Sequence, residues 1–577
     1  MKSVKQAAIF LTLLYCLAAC KKNEPAAVIE TPLTFCNPID ISYRFCLDEP
    51  SRREAADPSI VWFKDRYFLF ASKSGGYWHS NDLVDWTFIE TNEIPVEEYA
   101  PTAIAIRDTL YFLASSNEKS TLYKSSDPLR GKWSVAREQL DRPVWDPAFY
   151  LDDDKKLYLY WGCSNVNPIY GVEVDYKKNF SFIGQPKELL RADTANHGWE
   201  VPGDENTLKK QGPWIEGAWV NKHNGKYYLQ YAGPGTEYKS YSDAVYIGDS
   251  PLGPFTVQAH NPFAYKPGGF AAGAGHGSTF EDTYKNYWHI GTSTISVKHM
   301  FERRLVLLPT FIDAQGTLYA TTKYGDYPMI MPKKRINNFE DIFSGWMLLS
   351  YNKPVQVSSS IDSLPANYIT DEELRTYWSA QSGDAGEHVI LDLEKTADVY
   401  AIQINFAEHN TKIFGRQKDI FNRYTVEYSD NGTDWTMLID QSKSETDKSH
   451  PYFPLKQKIA CRYIKLSNVQ VPGGNFAISG LRVFGKGNGD LPAKVANLQA
   501  QRNATDKRSV TLTWDKATNA TGYVISYGIS KDKLYQSYMV YNVTTVTINS
   551  LNATEKYYYT IEAFNESGIT KSEAIVE

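Results

Sequence analysis

One pattern recurs five times in the first 335 residues: a turn, then a short strand dense in aromatic side chains. It reads Asp65-Arg-Tyr-Phe-Leu-Phe-Ala-Ser72, Asp108-Thr-Leu-Tyr-Phe-Leu-Ala-Ser115, Lys155-Lys-Leu-Tyr-Leu-Tyr-Trp-Gly162, Gly225-Lys-Tyr-Tyr-Leu-Gln-Tyr-Ala232 and Lys285-Asn-Tyr-Trp-His-Ile-Gly-Thr292. Upstream of each lies a loop and a first strand, marked by Asp57, Pro101, Asp146, Glu216 and His276. Downstream of several lies a third strand, as in Tyr77-Trp-His-Ser80. Several short strands per unit, repeated five times at this kind of period, predict a five-bladed β-propeller. Inner strands of a propeller converge on one axis, so residues far apart in sequence meet there.

That geometry gives three acids a common destination. They are Asp57 in Ala-Ala-Asp-Pro-Ser, Asp146 in Val-Trp-Asp-Pro-Ala and Glu216 in Trp-Ile-Glu-Gly-Ala. Clustered carboxylates with different environments suit acid/base chemistry on a sugar bond. An Asp before Pro also caps turns. Three acids in register make capping alone the weaker account.

Charge gives no reason to expect a nucleic-acid partner: the net is -6 and the pI near 6.0. The 14 Trp, 40 Tyr and 26 Phe belong first to strands and cores, though such rings also stack on sugar faces. The N-terminus reads as a targeting segment. Lys2 and Lys5 precede an apolar run from Ala7 to Leu17, then Leu17-Ala18-Ala19-Cys20. It resembles a bacterial lipoprotein signal, which implies a lipidated Cys20, membrane anchoring and, with Lys21 next, outer-membrane placement on the cell-surface or periplasmic face. Cys36 and Cys46 could bridge a short loop. Cys163 and Cys461 read as single buried thiols, and no Cys/His spacing suggests zinc.

After about residue 335 the pattern becomes that of antiparallel sandwiches. Val389–Leu393, Val399–Phe406, Tyr424–Tyr428 and Tyr463–Leu466 are strands, and Asp430-Asn-Gly-Thr-Asp-Trp435 is a turn. Gly485 to Pro492 reads as a flexible linker. Beyond it, a further small sandwich fits the remaining length. The whole chain is therefore expected to be all-β. Its parts are 1–19 signal, 20–50 tether and lead-in, 51–334 propeller, 335–487 first sandwich, and 488–577 linker and second sandwich.

Residues 51 to about 330 resemble glycoside hydrolase family 43, a five-bladed propeller family that hydrolyses furanosides and pentosides with inversion. The resemblance implies that Asp57 is the general base, Glu216 the general acid and Asp146 the auxiliary acid that tunes and orients it. His276, in Gly-His-Gly-Ser, matches an axial His. Arg303, in Glu-Arg-Arg-Leu, matches an Arg lining the pocket. Tyr99-Ala-Pro101 departs from the more usual Trp-Ala-Pro-Asp of blade two. Residues 340 to 487 look like a discoidin-type (coagulation factor C-type) module, through Asn367-Tyr-Ile-Thr-Asp371, Tyr377-Trp378, Tyr424-Thr-Val-Glu-Tyr428 and Ile478-Ser-Gly-Leu-Arg482-Val-Phe484. A sugar-binding and a structural role both suit it. The last segment is similar to a fibronectin type III domain, with Trp514 as core Trp and Tyr557 or Tyr559 as corner Tyr, in a spacer role.

Hydrolysis needs one protonated and one ionised carboxyl. Glu216 would be kept protonated by repulsion from Asp146 and by burial between Trp214 and Trp219. Asp57 would stay ionised and activate water, about 6.5–9.5 Å from Glu216. Glu200 and Glu205 are rival acids in a loop expected to overhang the pocket. Trp199 in that loop is either a substrate shelf or plain packing. Tyr99 and Trp145 are candidates for sugar stacking. His276 has two readings: orienting a calcium ion through water, or hydrogen-bonding as a neutral ring. The chemistry itself needs no cofactor. The leading function is an inverting glycosidase releasing α-L-arabinofuranose, β-D-galactofuranose or β-D-xylose from a glycan substrate, acting as a monomer. The alternative is a non-catalytic surface glycan-binding protein.

Overall fold

The structure, a computed structural model, describes residues 32–96 and 98–577. The expected signal, Cys20 and the first part of the expected tether lie outside the described residues. Five four-stranded antiparallel sheets follow one another. Their innermost strands are Ser59–Phe63, Thr102–Ile106, Ala148–Leu151, Glu216–His223 and Gly275–Glu281. Each packs on the next, and the fifth packs back on the first, closing the ring.

The aromatic strands are the second strands of the blades, and their composition has a physical cause. A blade is sandwiched between two others, so both faces of its sheet are buried. Side chains alternate across a strand. Thus Tyr67 and Leu69 join Trp288, Ile290 and Leu305 of blade five. Phe68 and Phe70 join Leu110, Phe112 and Trp133 of blade two. The same alternation fills the three remaining seams. Each large ring fully buried this way contributes roughly 1.5–3 kcal/mol.

The segment expected as a tether is part of this packing from residue 33 onward. Thr34–Phe35 pairs with Met329–Ile330. Asn37 accepts from Leu307 N and donates to its carbonyl, at 2.9 Å each. Phe35, Ile39, Ile41 and Tyr43 are core residues. Cys36 and Cys46 do not bridge. The Cys36 thiol donates to Asp326 O, and that of Cys46 to Glu54.

The first sandwich is built on two 19-residue strands, His388–Phe406 and Tyr452–Gln470, which shift register where they bend. One core holds it, with Trp378 fully buried. The second sandwich sets three strands against four around Trp514. Tyr557 is buried in it, and its hydroxyl accepts Asn552 N–H at 3.1 Å.

Neither sandwich hangs free. The expected flexible linker is pinned, with Gly487 N on Glu566 O and Asn565 Nδ2 on Asp490 O. The spacer expectation for the last sandwich also gives way: Tyr535 stacks on Tyr319 at 3.7 Å, and Glu562 pairs with Lys323 at 2.7 Å. The first sandwich meets the propeller through buried charge. Arg482 pairs with Glu372 and donates to Asp326 O and Gln403. Arg53 and Arg304 of the propeller reach Glu408, Asp447 and His450 of the sandwich.

Candidate active site

Each blade enters its inner strand through a residue in the left-handed region: Asp57 (φ 52°), Ala100 (46°), Asp146 (51°), Gly217 (63°) and His276 (43°). This shared entry point, bulged in blades four and five, brings the Asp57, Asp146 and His276 side chains together. It also corrects the register read from the sequence. The equivalents of Asp57 are Ala100 and Gly217, not Pro101 and Glu216. Glu216 sits one residue earlier, level with Tyr99 and Trp145, which accept the matching cross-strand bonds from Ser115 N and Gly162 N. Gly217 suits its place. A Cβ there would lie 2.7 Å from the His276 ring, and its φ is one Gly adopts freely.

The axial side chains meet. His276 Nδ1 is 3.3 Å from Asp57 and 3.6 Å from Asp146. Hydroxyls from the ends of second strands hold the acids. Ser72 donates to Asp57 Oδ2 at 2.6 Å while accepting Ala100 N–H from blade two. Ser115 accepts Asp146 N–H at 2.9 Å and donates to its carboxylate at 3.2 Å. Thr292 of blade five accepts Asp57 N–H at 2.9 Å. Asp243 accepts the backbone N–H groups of His276 and Gly277. The small residues closing each aromatic strand were the only sequence signal for these hydroxyls.

Glu216 is held by two residues the sequence did not assign to the site, one of them Cys163, which is half-buried where a buried thiol was expected. Tyr241 donates to Oε1, and the Cys163 thiol to Oε2 at 3.1 Å. Burial, with the Glu216 charge next, keeps the Tyr241 phenol far from ionising. Burial beside Asp146 and Glu216 likewise keeps Cys163 a thiol. Of the two tryptophans expected to enclose Glu216, Trp214 lines its cavity. Trp219 turns to blade five and donates to Thr279 O.

Electrostatics separate the acids. Burial opposes charge on Asp57, but Arg303, His276 and the Ser72 hydroxyl outweigh it and lower its pKa. Burial pushes the Asp146 carboxyl up to about 7; His276 opposes this, while Glu216 and Asp57 add to it. So Asp146, which the sequence reading took as an ionised neighbour, is itself among the raised carboxyls of the site. His276 also departs from its neutral reading. Burial disfavours its charge, yet Asp57, Asp146, Glu216 and Asp243 together raise its pKa.

Among the described residues the set nearest to a metal site is Asp146, Cys163 and Glu216, with ligand atoms within 4.8 Å of one another. A thiol and two carboxylates do not form the oxygen-rich shell calcium takes. This cluster therefore does not suit direct calcium ligation, which leaves the ion expected near His276 through water as a separate arrangement.

Arg303 does not present itself to a sugar. It is buried, and its donors go to Glu54, Asp57 at 3.0 Å and Thr236 at 3.1 Å. Trp199 is 1% exposed, stacked on His197 and donating to Tyr231, so it is core and no shelf. Glu200 is buried against His197 and Tyr231, and Glu205 accepts from Tyr538 of the second sandwich. Neither joins the axial acids. The stretch 196–198 packs on residues 551–553 and not over the pocket.

A cavity of about 410 Å³ opens above Glu216, lined also by Trp145, Cys163, Trp214, Thr236 and Phe301. Trp145 and Trp214 are 37% and 44% exposed, which is unusual for rings of that size. Tyr99 packs behind Phe301 with centroids 5.1 Å apart. Exposed rings beside buried carboxyls are the makings of a sugar pocket.

Residues 51–318 match the model of Glycosyl hydrolases family 43, and residues 354–480 that of the F5/8 type C domain. A beta-xylosidase of Xylanibacter ruminicola is 26% identical over 161 residues, 23% of this chain and 42% of that protein. An arabinoxylan arabinofuranohydrolase of Paenibacillus polymyxa is 29% identical over 156 residues, 26% of this chain and 22% of its own. A beta-D-galactofuranosidase of Aspergillus niger is 26% identical over 270 residues, 40% of this chain and 72% of its own. The chain thus spans less than half the length of the first two relatives.

Proposed function

We propose that the propeller is an inverting glycoside hydrolase that releases furanose or pentose units from a glycan. The named activities of the similar proteins set the candidate sugars: β-D-xylose, α-L-arabinofuranose and β-D-galactofuranose. The observation that carries the reading is the meeting of Asp57 and Asp146 on His276, with Glu216 clasped by Tyr241 and Cys163 beside a cavity edged by exposed Trp145 and Trp214.

In this reading Asp57, held ionised by Arg303, takes a proton from water as the water attacks the anomeric carbon. Glu216 gives its proton to the leaving oxygen. Asp146, which keeps its own proton up to about pH 7, relieves repulsion beside Glu216 while that residue cycles. His276 and Ser72 hold the base in place.

Glu216→Gln tests the assignment on aryl glycosides. Loss of about 10²–10⁴-fold in turnover on a poor leaving group, with a smaller loss on an activated one, is the signature of a missing general acid. Undiminished turnover on the poor leaving group would refute it. Wild-type protein that binds glycans and cleaves none would favour the glycan-binding alternative.

The same proposal places the chain on the outer membrane through a lipidated Cys20, as a monomer, with a fibronectin type III-like last domain. Fatty-acid labelling that disappears in Cys20→Ser would support the anchor; labelling that persists would sink it.

A further inference from the structure

A second cavity, of about 600 Å³, adjoins the first and shares Glu237 and Met300 with it. It runs between the propeller loops at 203–208 and 296–300 and ends at Arg375 of the discoidin-type module. Val297 and Met300 lie along it, 49% and 47% exposed. Arg375 sets its shape. Its guanidinium donates to Asp204 at 2.7 Å and to Glu237 O at 3.0 Å, tying two propeller loops together, while its buried Nε has no partner among the described residues. Lys239 pairs with Glu373 and donates its N–H to Asp204, so the junction is cross-tied.

Direction follows from the chemistry. A general acid stands on the leaving-group side of the bond it protonates. Glu216 lines the first cavity; Asp57 does not. The second cavity extends that lining through Glu237 and Met300. It therefore continues the path of the leaving group.

We propose that this junction groove holds the leaving-group side of an extended glycan, and that Arg375 makes the discoidin-type module a determinant of substrate length. This rests on the hydrolase reading above. The preferred substrate is then an oligosaccharide with further rings beyond the scissile bond, and not a single sugar on a small leaving group. Tyr238, half-buried along the groove with its hydroxyl on Gln211 at 3.2 Å, offers those rings a stacking face.

The test uses the full chain. The 4-nitrophenyl glycosides of the three candidate sugars are screened, and the one cleaved is paired with an oligosaccharide ending in the same sugar. Arg375→Ala and Tyr238→Ala are compared with wild type by the ratio of kcat/KM on the oligosaccharide to that on the aryl glycoside. The expected result is a fall of at least tenfold in this ratio, mainly through a raised oligosaccharide KM. Thermal midpoints show which variants are folded; should Arg375→Ala fail to fold, Tyr238→Ala decides alone. A ratio within twofold of wild type in the folded variants overturns the proposal. Wild type cleaving neither kind of substrate overturns the hydrolase reading itself, which separates the two failures.

Discussion

Arg303 stands 3.0 Å from Asp57 with Glu54 on its other side, while its chain neighbour Arg304 faces the opposite way and meets His450 of the first sandwich. The same alternation operates one strand over. Glu54 points to the site, and Arg53 points to Asp447 and Glu408. Strand period therefore couples the support of the proposed base to the domain behind it.

Arg303 governs the acidic limb of activity. Asp57 is lowered in the folded protein, so as pH falls it stays ionised past the point where an ordinary aspartate protonates. In Arg303→Gln the largest opposing charge is gone and the limb of kcat/KM should move to higher pH. A pH profile with an unmoved limb would show that Arg303 does not set the base.

Asp146 makes stability depend on pH in the opposite sense. Its folded pKa, about 7, lies above the ordinary aspartate value. The folded state holds a proton that the unfolded state has released, so this group's contribution declines as pH rises toward 7 and is fully lost above. Asp146→Asn should flatten that part of the profile of Tm against pH. An identical slope in both proteins would contradict it.

Tyr241→Phe removes one of the two donors on Glu216. A hydrogen bond to the charge Glu216 develops as it gives up its proton contributes roughly 1.5–3 kcal/mol, equivalent to about a ten- to hundredfold effect on rate. The loss should fall on kcat, with KM little changed, in steady-state kinetics.

Cutting the chain after residue 335 should not yield an active propeller. Arg53, Arg304 and Asp326 would lose buried partners, and breaking a buried pair costs about 3–5 kcal/mol. Soluble truncated protein with full turnover would refute this and make both sandwiches accessory.

Much of the architecture was legible in the chain because blades impose a visible rule. Both faces of Arg66–Phe70 and its counterparts are largely buried, so aromatic and aliphatic side chains fill most positions, and the pattern repeats five times. The acids were legible because inner-strand entry recurs. What failed was finer. Glu216 is displaced by one residue from the bulge register, and spacing alone does not report a bulge. Arg303 and Trp199 have the right chemistry for a pocket, but their direction depends on the neighbours Glu54 and Tyr231, which lie far off in sequence. The lead-in at Phe35–Tyr43 reads as a tether until blade five offers it an edge. The hydroxyls of Ser72, Ser115 and Thr292 looked like mere strand ends.

The most direct test of convergent acids is the anomer first released from a cleaved glycoside, followed by NMR before mutarotation. Asp57 activating water on one face while Glu216 protonates the leaving oxygen on the other predicts a product of inverted configuration. Release of the retained anomer would mean that one of these carboxylates attacks the sugar directly, and the assignment of base and acid would fall.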